Sequence, residues 1–260
     1  MQANKLTTAC VVLTLAACAA TNSGAPAIEQ RRAGKGPGVV VFQSGLGDGL
    51  AVWQAVQSAT GAMATTLSYS RPGYGRSTAA DGERSPCRAA EEEHALLASA
   101  GLVPPYIVVG HSLGGLYHYA FAKLYPHDVA GLVLLDPTHP DHWVTVQRDA
   151  PAVAAVVRLA RAGFSATMRR EFDDQAVCVD RLRALPMPRV PVRLLVRGEF
   201  RGLEAGSFEA VARQLEADWA RLLGVAAAQR VEGAGHYLQR DRPQAVSAAI
   251  AEVVDASLHR

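Results

Sequence analysis

The sequence predicts an α/β domain built on a mainly parallel sheet with helices on both faces. Three observations carry this. Short runs such as VVVFQ (39–43), YIVV (106–109), GLVLL (131–135) and VRLLV (192–196) are apolar without polar alternation, the pattern of strands buried on both sides. Segments of helical pattern separate them, as parallel strands require. The chain has 260 residues of which 49% are hydrophobic, enough for one large core. It shows no heptads, no internal repeat and no long low-complexity tract.

Each element has a local reason. The run at 39–43 is closed by Ser-Gly-Leu-Gly, and residues 50–60 follow with a helical pattern. Residues 64–69 read as a strand that runs into the turn SRPGYGRS (70–77). Residues 86–100 read as an amphipathic helix, with Ser85 as N-cap, Pro86 in the first turn and Gly101 just past the end. The strand at 106–109 precedes a helix at 116–125 that Pro126 halts. Further strands are expected at 131–135, 192–196 and 226–231, and a closing helix at 243–258. Residues 139–188 break the rhythm with helical patterns and no good strand, so they read as an inserted cap.

The N-terminus reads as targeting sequence rather than fold. Lys5 is a short basic region, and residues 9–17 are an apolar stretch too short to span a bilayer as a stable helix. Leu15-Ala16-Ala17-Cys18 resembles a bacterial lipobox, which implies a signal peptide at 1–17 and lipidation of Cys18. The alternative is an ordinary secretory signal cut near Ala17 or Ala20, giving a soluble secreted or periplasmic protein. With the lipobox, the chain is exported and held at the membrane, facing the periplasm from the outer membrane in a double-membraned cell. Residues 18–36 then form a flexible tether to a domain at 37–260. Cys10 leaves with the signal, so Cys87 and Cys178 remain in an oxidising space, where they are a candidate disulfide; two buried thiols are the alternative.

The chemistry centres on Gly110-His111-Ser112-Leu113-Gly114, a G-x-S-x-G between a strand and a helix. A nucleophile on so sharp a turn has strained backbone angles, and small residues two before and two after it let neighbouring chains approach. The helix that follows points free N–H groups back at the serine, where they can stabilise an oxyanion.

With these residues the chain resembles the α/β-hydrolase family, and the resemblance covers nearly the whole mature chain. Gln43-Ser44-Gly45-Leu46-Gly47 sits at the family's first oxyanion loop, with Ser44 where histidine is common. SYSRPGYGRS looks like the turn after the next strand, and Gly233-Ala234-Gly235-His236 like the loop that carries the catalytic histidine. The resemblance implies an eight-stranded sheet, a helical cap inserted after the sixth strand, and the chain order Ser, acid, His.

A serine hydroxyl needs a base within hydrogen-bond reach. Among eight histidines, His236 is the expected one, since it follows a strand in a glycine-rich loop. His111 lies beside the serine on a tight turn and should point elsewhere. His94, His118 and His127 fall on helices or a helix end, His139 and His142 at the cap entrance, and His259 at the terminus. The acid has two candidates. The family's usual place follows VRLLV as Gly-x-x-Asp; here it reads Gly198-Glu199-Phe200-Arg201. Asp136 ends GLVLLDPTHP, an apolar strand where a charge is costly unless paired, and some lipases of this family are similar in carrying their acid there. Asp136 is preferred over Glu199. The oxyanion donors should be the backbone N–H groups of Leu46 and Leu113.

The resemblance implies hydrolysis of a small-molecule carboxylic ester through an acyl-serine, without cofactor or metal. The same groups could cleave an amide or peptide, or take peroxide as acyl acceptor. A lipid-anchored binding or sensor protein that keeps the fold without turnover is the reading from another class. A serine in place of the aspartate nucleophile of haloalkane and many epoxide hydrolases argues against those reactions. The net charge of +2 favours neither nucleic acid nor an acidic partner. His139, Asp141 and His142 read as polar surface rather than a metal site, Glu91, Glu92 and Glu93 at a helix start read as a solvated face, and Arg169-Arg170 in the cap read as surface, with pairing to an acidic substrate group as the alternative. Val153, Val156, Val157, Leu159 and Phe164 could line an acyl pocket or form the cap's own small core.

Overall fold

The computed structural model describes residues 27–259. The expected signal peptide at 1–17, Cys10, the expected lipidation site Cys18 and the first part of the expected tether lie outside these residues. Among the described residues no helix is long and apolar enough to cross a membrane.

Seven strands form one sheet in the order β1-β3-β2-β4-β5-β6-β7. They are β1 (Gln30–Ala33), β2 (Val39–Gln43), β3 (Thr65–Tyr69), β4 (Tyr106–His111), β5 (Val129–Leu135), β6 (Val192–Arg197) and β7 (Gln229–Val231). Only β1 runs antiparallel, along β3; every other pairing is parallel. The expected strand count of eight is therefore corrected to seven among the described residues.

The tether is corrected too. It was expected to run to residue 36, but Gln30–Ala33 pairs with β3, and the Glu29 carboxylate accepts from Ser70 Oγ at 2.9 Å and Arg76 N at 3.1 Å. The strand was hidden because QRRA is polar: an edge strand with exposed side chains buries little and carries no apolar signature.

Successive strand residues divide between two cores, as the two-residue period demands. Val41, Leu67, Val108, Leu132 and Leu134 face one side, where they pack with α2 (Pro86–Ser99) and α3 (Leu113–Leu124). Val40, Phe42, Ile107, Val109, Val133 and Leu135 face the other, toward α1 (Gln54–Thr60) and the closing C-terminal helix (Pro243–Leu258). Burial on both faces is why these strands read as unbroken apolar runs. Ser85 caps α2 by accepting from Arg88 N at 3.2 Å.

The cap follows β5, the fifth strand in chain order rather than the sixth. It comprises α4 (His142–Asp149), α5 (Pro151–Ala160), α6 (Ala166–Asp173) and α7 (Val179–Ala184). A disulfide joins Cys178, just before α7, to Cys87 in α2, and so ties the cap to the main domain. After β6 comes α8 (Ser207–Leu223), for which the sequence reading names no element. Its buried Val211, Leu215, Trp219 and Leu223 recur every four residues, and Val211 and Leu215 cover Val146, Ala150 and Ala154 of the cap. The chain closes with β7, the short α9 (Leu238–Asp241) and α10 (Pro243–Leu258).

Candidate active site

Ser112 sits between β4 and α3 with φ 53° and ψ −122°, a left-handed region that a serine rarely adopts. The strand runs two residues further than expected, to His111, and the helix begins three residues earlier, at Leu113, because the sharp turn is confined to Ser112 itself. The flanking glycines are required by crowding. A Cβ on Gly110 would lie 2.4 Å from the Gly114 carbonyl oxygen, and one on Gly114 would lie 2.3 Å from that of Gln43. Pro137 presses on the next glycine, Gly115, in the same way.

Three side chains meet here, with His236 lying 100 residues from Asp136 and 124 from Ser112. His236, on the loop between β7 and α9, places Nε2 3.1 Å from Ser112 Oγ. Its Nδ1 lies 2.6 Å from Asp136 Oδ2, where it donates to the carboxylate. That tautomer leaves the Nε2 lone pair facing the serine hydroxyl. Asp136 follows β5 with φ 43° and is anchored by its own N–H on the Leu195 carbonyl, 2.7 Å away. Glu199 makes a different contact: its carboxylate pairs with Arg201.

Arg197, the last residue of β6, is a member of this cluster that the sequence reading missed. Its Nε donates to Asp136 Oδ2 at 2.7 Å, one terminal nitrogen lies 2.6 Å from the same oxygen and from His236 Nδ1, and the other donates to Glu204 at 2.7 Å. Its guanidinium also lies over the Phe200 ring, 5.1 Å from the centroid. Burial by itself would push the Asp136 carboxyl up, but the bond from His236 and the charge of Arg197 outweigh it and hold the carboxyl well below its usual range. Asp136 is therefore ionised at any pH at which a histidine can act as base.

His111 was expected to point away from the serine. Its buried ring donates from Nε2 to the His236 carbonyl at 2.8 Å, which steadies the histidine loop. Burial and the neighbouring His236 lower its pKa to about 3, so it stays neutral and keeps that N–H. A buried histidine next to a strained serine was the available signal; its partner, 125 residues on, was not. His94 and His118 bond Asp128 and Glu93, away from this cluster.

The cavity over Ser112 has a volume of about 300 Å³. Leu46 and Leu113 line it beside Ser112, with His142, Phe172 and Gln175 entering from the cap. Leu113 is the first residue of α3, so its N–H has no acceptor within the helix. Burial lowers the His142 pKa to about 4, which leaves the cap side of the cavity uncharged near neutral pH. None of Val153, Val156, Val157, Leu159 and Phe164 lines this cavity; Val153 packs on the cap's own cluster and Leu159 is 79% exposed. Ser44, in the place of the more common histidine, braces its loop by donating to the Gly49 carbonyl and accepting from Trp53 Nε1, each at 3.0 Å.

One further cluster has the residue types of a metal site: His139, Asp141 and Asp218, with ligand-type atoms within 4.8 Å of one another. His142 is not in it. The charges of this cluster are already paired within the protein. His139 Nδ1 accepts the Asp141 N–H at 3.0 Å, so its proton is on Nε2, 3.0 Å from the Asp218 carboxylate. Arg183 and Arg221 pair with the two aspartates. A cation would have to displace both guanidinium groups and reverse the tautomer.

The family model for the alpha/beta hydrolase fold matches residues 38–181, more than half of the chain. The uncharacterized protein YqjL of Bacillus subtilis (strain 168) is 31% identical over 112 residues, 43% of this chain and 44% of that protein. A (lyso)-N-acylphosphatidylethanolamine lipase of Mus musculus is 31% identical over 101 residues, 38% of this chain and 30% of that protein. The chain thus spans less than half the length of these curated relatives. A thermophilic esterase from Thermogutta terrifontis superimposes with a TM-score of 0.65 at 20% identity, over 89% of this chain and 94% of the other. The seven-stranded sheet, the strained serine after β4 and the family match agree: this chain belongs to the α/β hydrolase fold family.

Proposed function

We propose that the chain is a serine hydrolase that cleaves small carboxylic esters. The observation that carries this is the continuous path from Ser112 Oγ to His236 Nε2, 3.1 Å, and from His236 Nδ1 to Asp136 Oδ2, 2.6 Å, at the floor of a cavity. His236 takes the Ser112 proton as Oγ attacks the ester carbonyl. The carbonyl oxygen becomes an oxyanion held by the N–H groups of Leu46 and Leu113, each worth about 3 kcal/mol in the transition state. Asp136 holds the tautomer and stabilises the imidazolium. His236 then returns the proton to the departing alkoxide, and an acyl-serine remains. Water, deprotonated by the same imidazole, attacks the acyl carbon; the acid leaves and Ser112 regains its proton. A cavity of about 300 Å³ with His142 and Gln175 in its wall suits a short or polar acyl group better than a long lipid chain.

The names of the Thermogutta esterase and the mouse lipase agree with ester cleavage. Amide, peptide or peroxide chemistry could use the same three side chains. The competing reading, a binding or sensor protein without turnover, has against it a serine and an imidazole already in hydrogen-bond contact. A fluorophosphonate probe tests the proposal. It should label the wild type and not Ser112→Ala; a wild type that stays unlabelled where control serine hydrolases react would refute it. Esters of graded acyl length then separate short from long substrates.

We also propose export with lipid attachment at Cys18. The Cys87–Cys178 bond supports an oxidising compartment. Metabolic labelling with a clickable fatty acid should mark the chain, and Cys18→Ala should remove the mark.

A further inference from the structure

We propose that Glu171, on cap helix α6, is a positioning residue of the oxyanion loop, so that the cap forms part of the machinery and not only its cover. This rests on the hydrolase reading above. The loop of residues 44–47 is gripped at both ends. Arg71 donates to the Ser44 carbonyl at 2.5 Å and the Gly45 carbonyl at 2.9 Å. The Tyr74 hydroxyl accepts from Gly47 N at 3.3 Å. Leu46, whose N–H faces the cavity over Ser112 in the proposed mechanism, lies between the two grips.

Both grips converge on one side chain of the cap. Glu171 accepts from Arg71 through both carboxylate oxygens, at 2.8 and 2.9 Å, and from the Tyr74 hydroxyl at 2.7 Å. Arg71 is 2% exposed and Glu171 is fully buried. A bidentate pair fixes the guanidinium plane, and that plane aims the remaining N–H groups at the two loop carbonyls. The packing follows the same line. A Cβ on Gly47 would lie 3.1 Å from Met168 Cε, and one on Gly73 would lie 2.2 Å from Thr167 Oγ1, so α6 rests directly on the loop and on the RPGYG turn. Just beyond α6, Asp174 accepts from Arg84 N at 2.8 Å and Cys178 is bonded to Cys87. The cap helix that carries Glu171 is therefore fixed to the main domain at its far end.

An interaction that shapes only the transition state lowers kcat and leaves KM in place. The test uses the whole mature chain with Glu171→Gln, the paired Arg71→Met/Glu171→Met, and Tyr74→Phe. Each preparation is titrated to completion with a fluorophosphonate, and kcat is expressed per titrated site on a short-chain ester. Removing one oxyanion donor outright costs roughly 10²–10³ in kcat. Loosening its loop should cost about tenfold or more in Glu171→Gln and in the pair, and about threefold in Tyr74→Phe, with KM within about twofold. A purely structural role would lower the number of titrated sites and leave the rate per site unchanged, and that result overturns the inference. Should the first two variants not fold, Tyr74→Phe decides: a wild-type rate per site refutes the role, a loss at constant KM supports it. A wild type that neither labels nor turns over would instead refute the hydrolase reading itself.

Discussion

Arg71 and Arg197 are both nearly buried, and they stand at opposite sides of the same serine. On the side of the proposed oxyanion loop, the charge of Arg71 is met by Glu171, a cap residue that touches none of Ser112, His236 and Asp136, and the guanidinium spends its other hydrogens on backbone carbonyls. On the acid side, the charge of Arg197 is met by Asp136 itself, with Glu204 at the surface taking the remainder. The same side chain thus serves as scaffold in one place and as part of the local field in the other. The difference teaches where damage should be read. Loss of Arg71 leaves the fully buried Glu171 carboxylate without its guanidinium partner, whereas loss of Arg197 leaves Asp136 still bonded to His236.

The sharpest way to break the comparison is at the acid. Asp136→Asn should lower kcat on the order of 10⁴-fold, because an amide cannot hold the tautomer or stabilise the imidazolium. Glu199→Gln, whose carboxylate pairs with Arg201, should stay within about threefold. Steady-state kinetics on one ester decides it, and the reverse order would move the acid to Glu199. Next come the two arginines. Arg71→Met should cost about 3–5 kcal/mol in denaturant unfolding, as removal of one partner from a buried pair does. Arg197→Met should cost about 2 kcal/mol or less, since its second carboxylate is 42% exposed. Equal losses would erase the distinction drawn here.

The disulfide ranks third. Replacing Cys87 and Cys178 together with alanine should cost about 2–4 kcal/mol, and the loss should vanish when both proteins are unfolded under reducing conditions. The smallest effect concerns Glu216, near Arg213 at 3.7 Å and Arg230 at 3.3 Å. Burial lifts its carboxyl from the ordinary 4.5 to about 7, against the pull of Arg213. Between those values the folded state holds a proton that the unfolded chain has lost, so stability falls as pH rises through that window. Glu216→Gln should flatten the decline, raising Tm at pH 8 relative to pH 4.5 by roughly 2 °C against the wild type. An unchanged slope would show that the arginines keep Glu216 ionised.

The sequence by itself determined the features that local chemistry dictates. Strands buried on both faces must be apolar throughout, so β2, β4, β5 and β6 were readable one run at a time. A serine in strained backbone needs small neighbours, which marked Ser112. A histidine among glycines after a strand marked His236, and a charge at the end of an apolar run marked Asp136. The tertiary structure decided what depends on partners far along the chain. The QRRA edge strand has no apolar signature because its stability comes from pairing with β3. Of the apolar cap residues, Val153 faces the cap's own cluster and Leu159 faces solvent, a choice made by packing. Arg71 and Glu171 are 100 residues apart, and Arg197 is 61 from Asp136. Nothing in either local sequence distinguishes these arginines from those at the surface, because a buried charge is stable only through the partner that the fold brings to it.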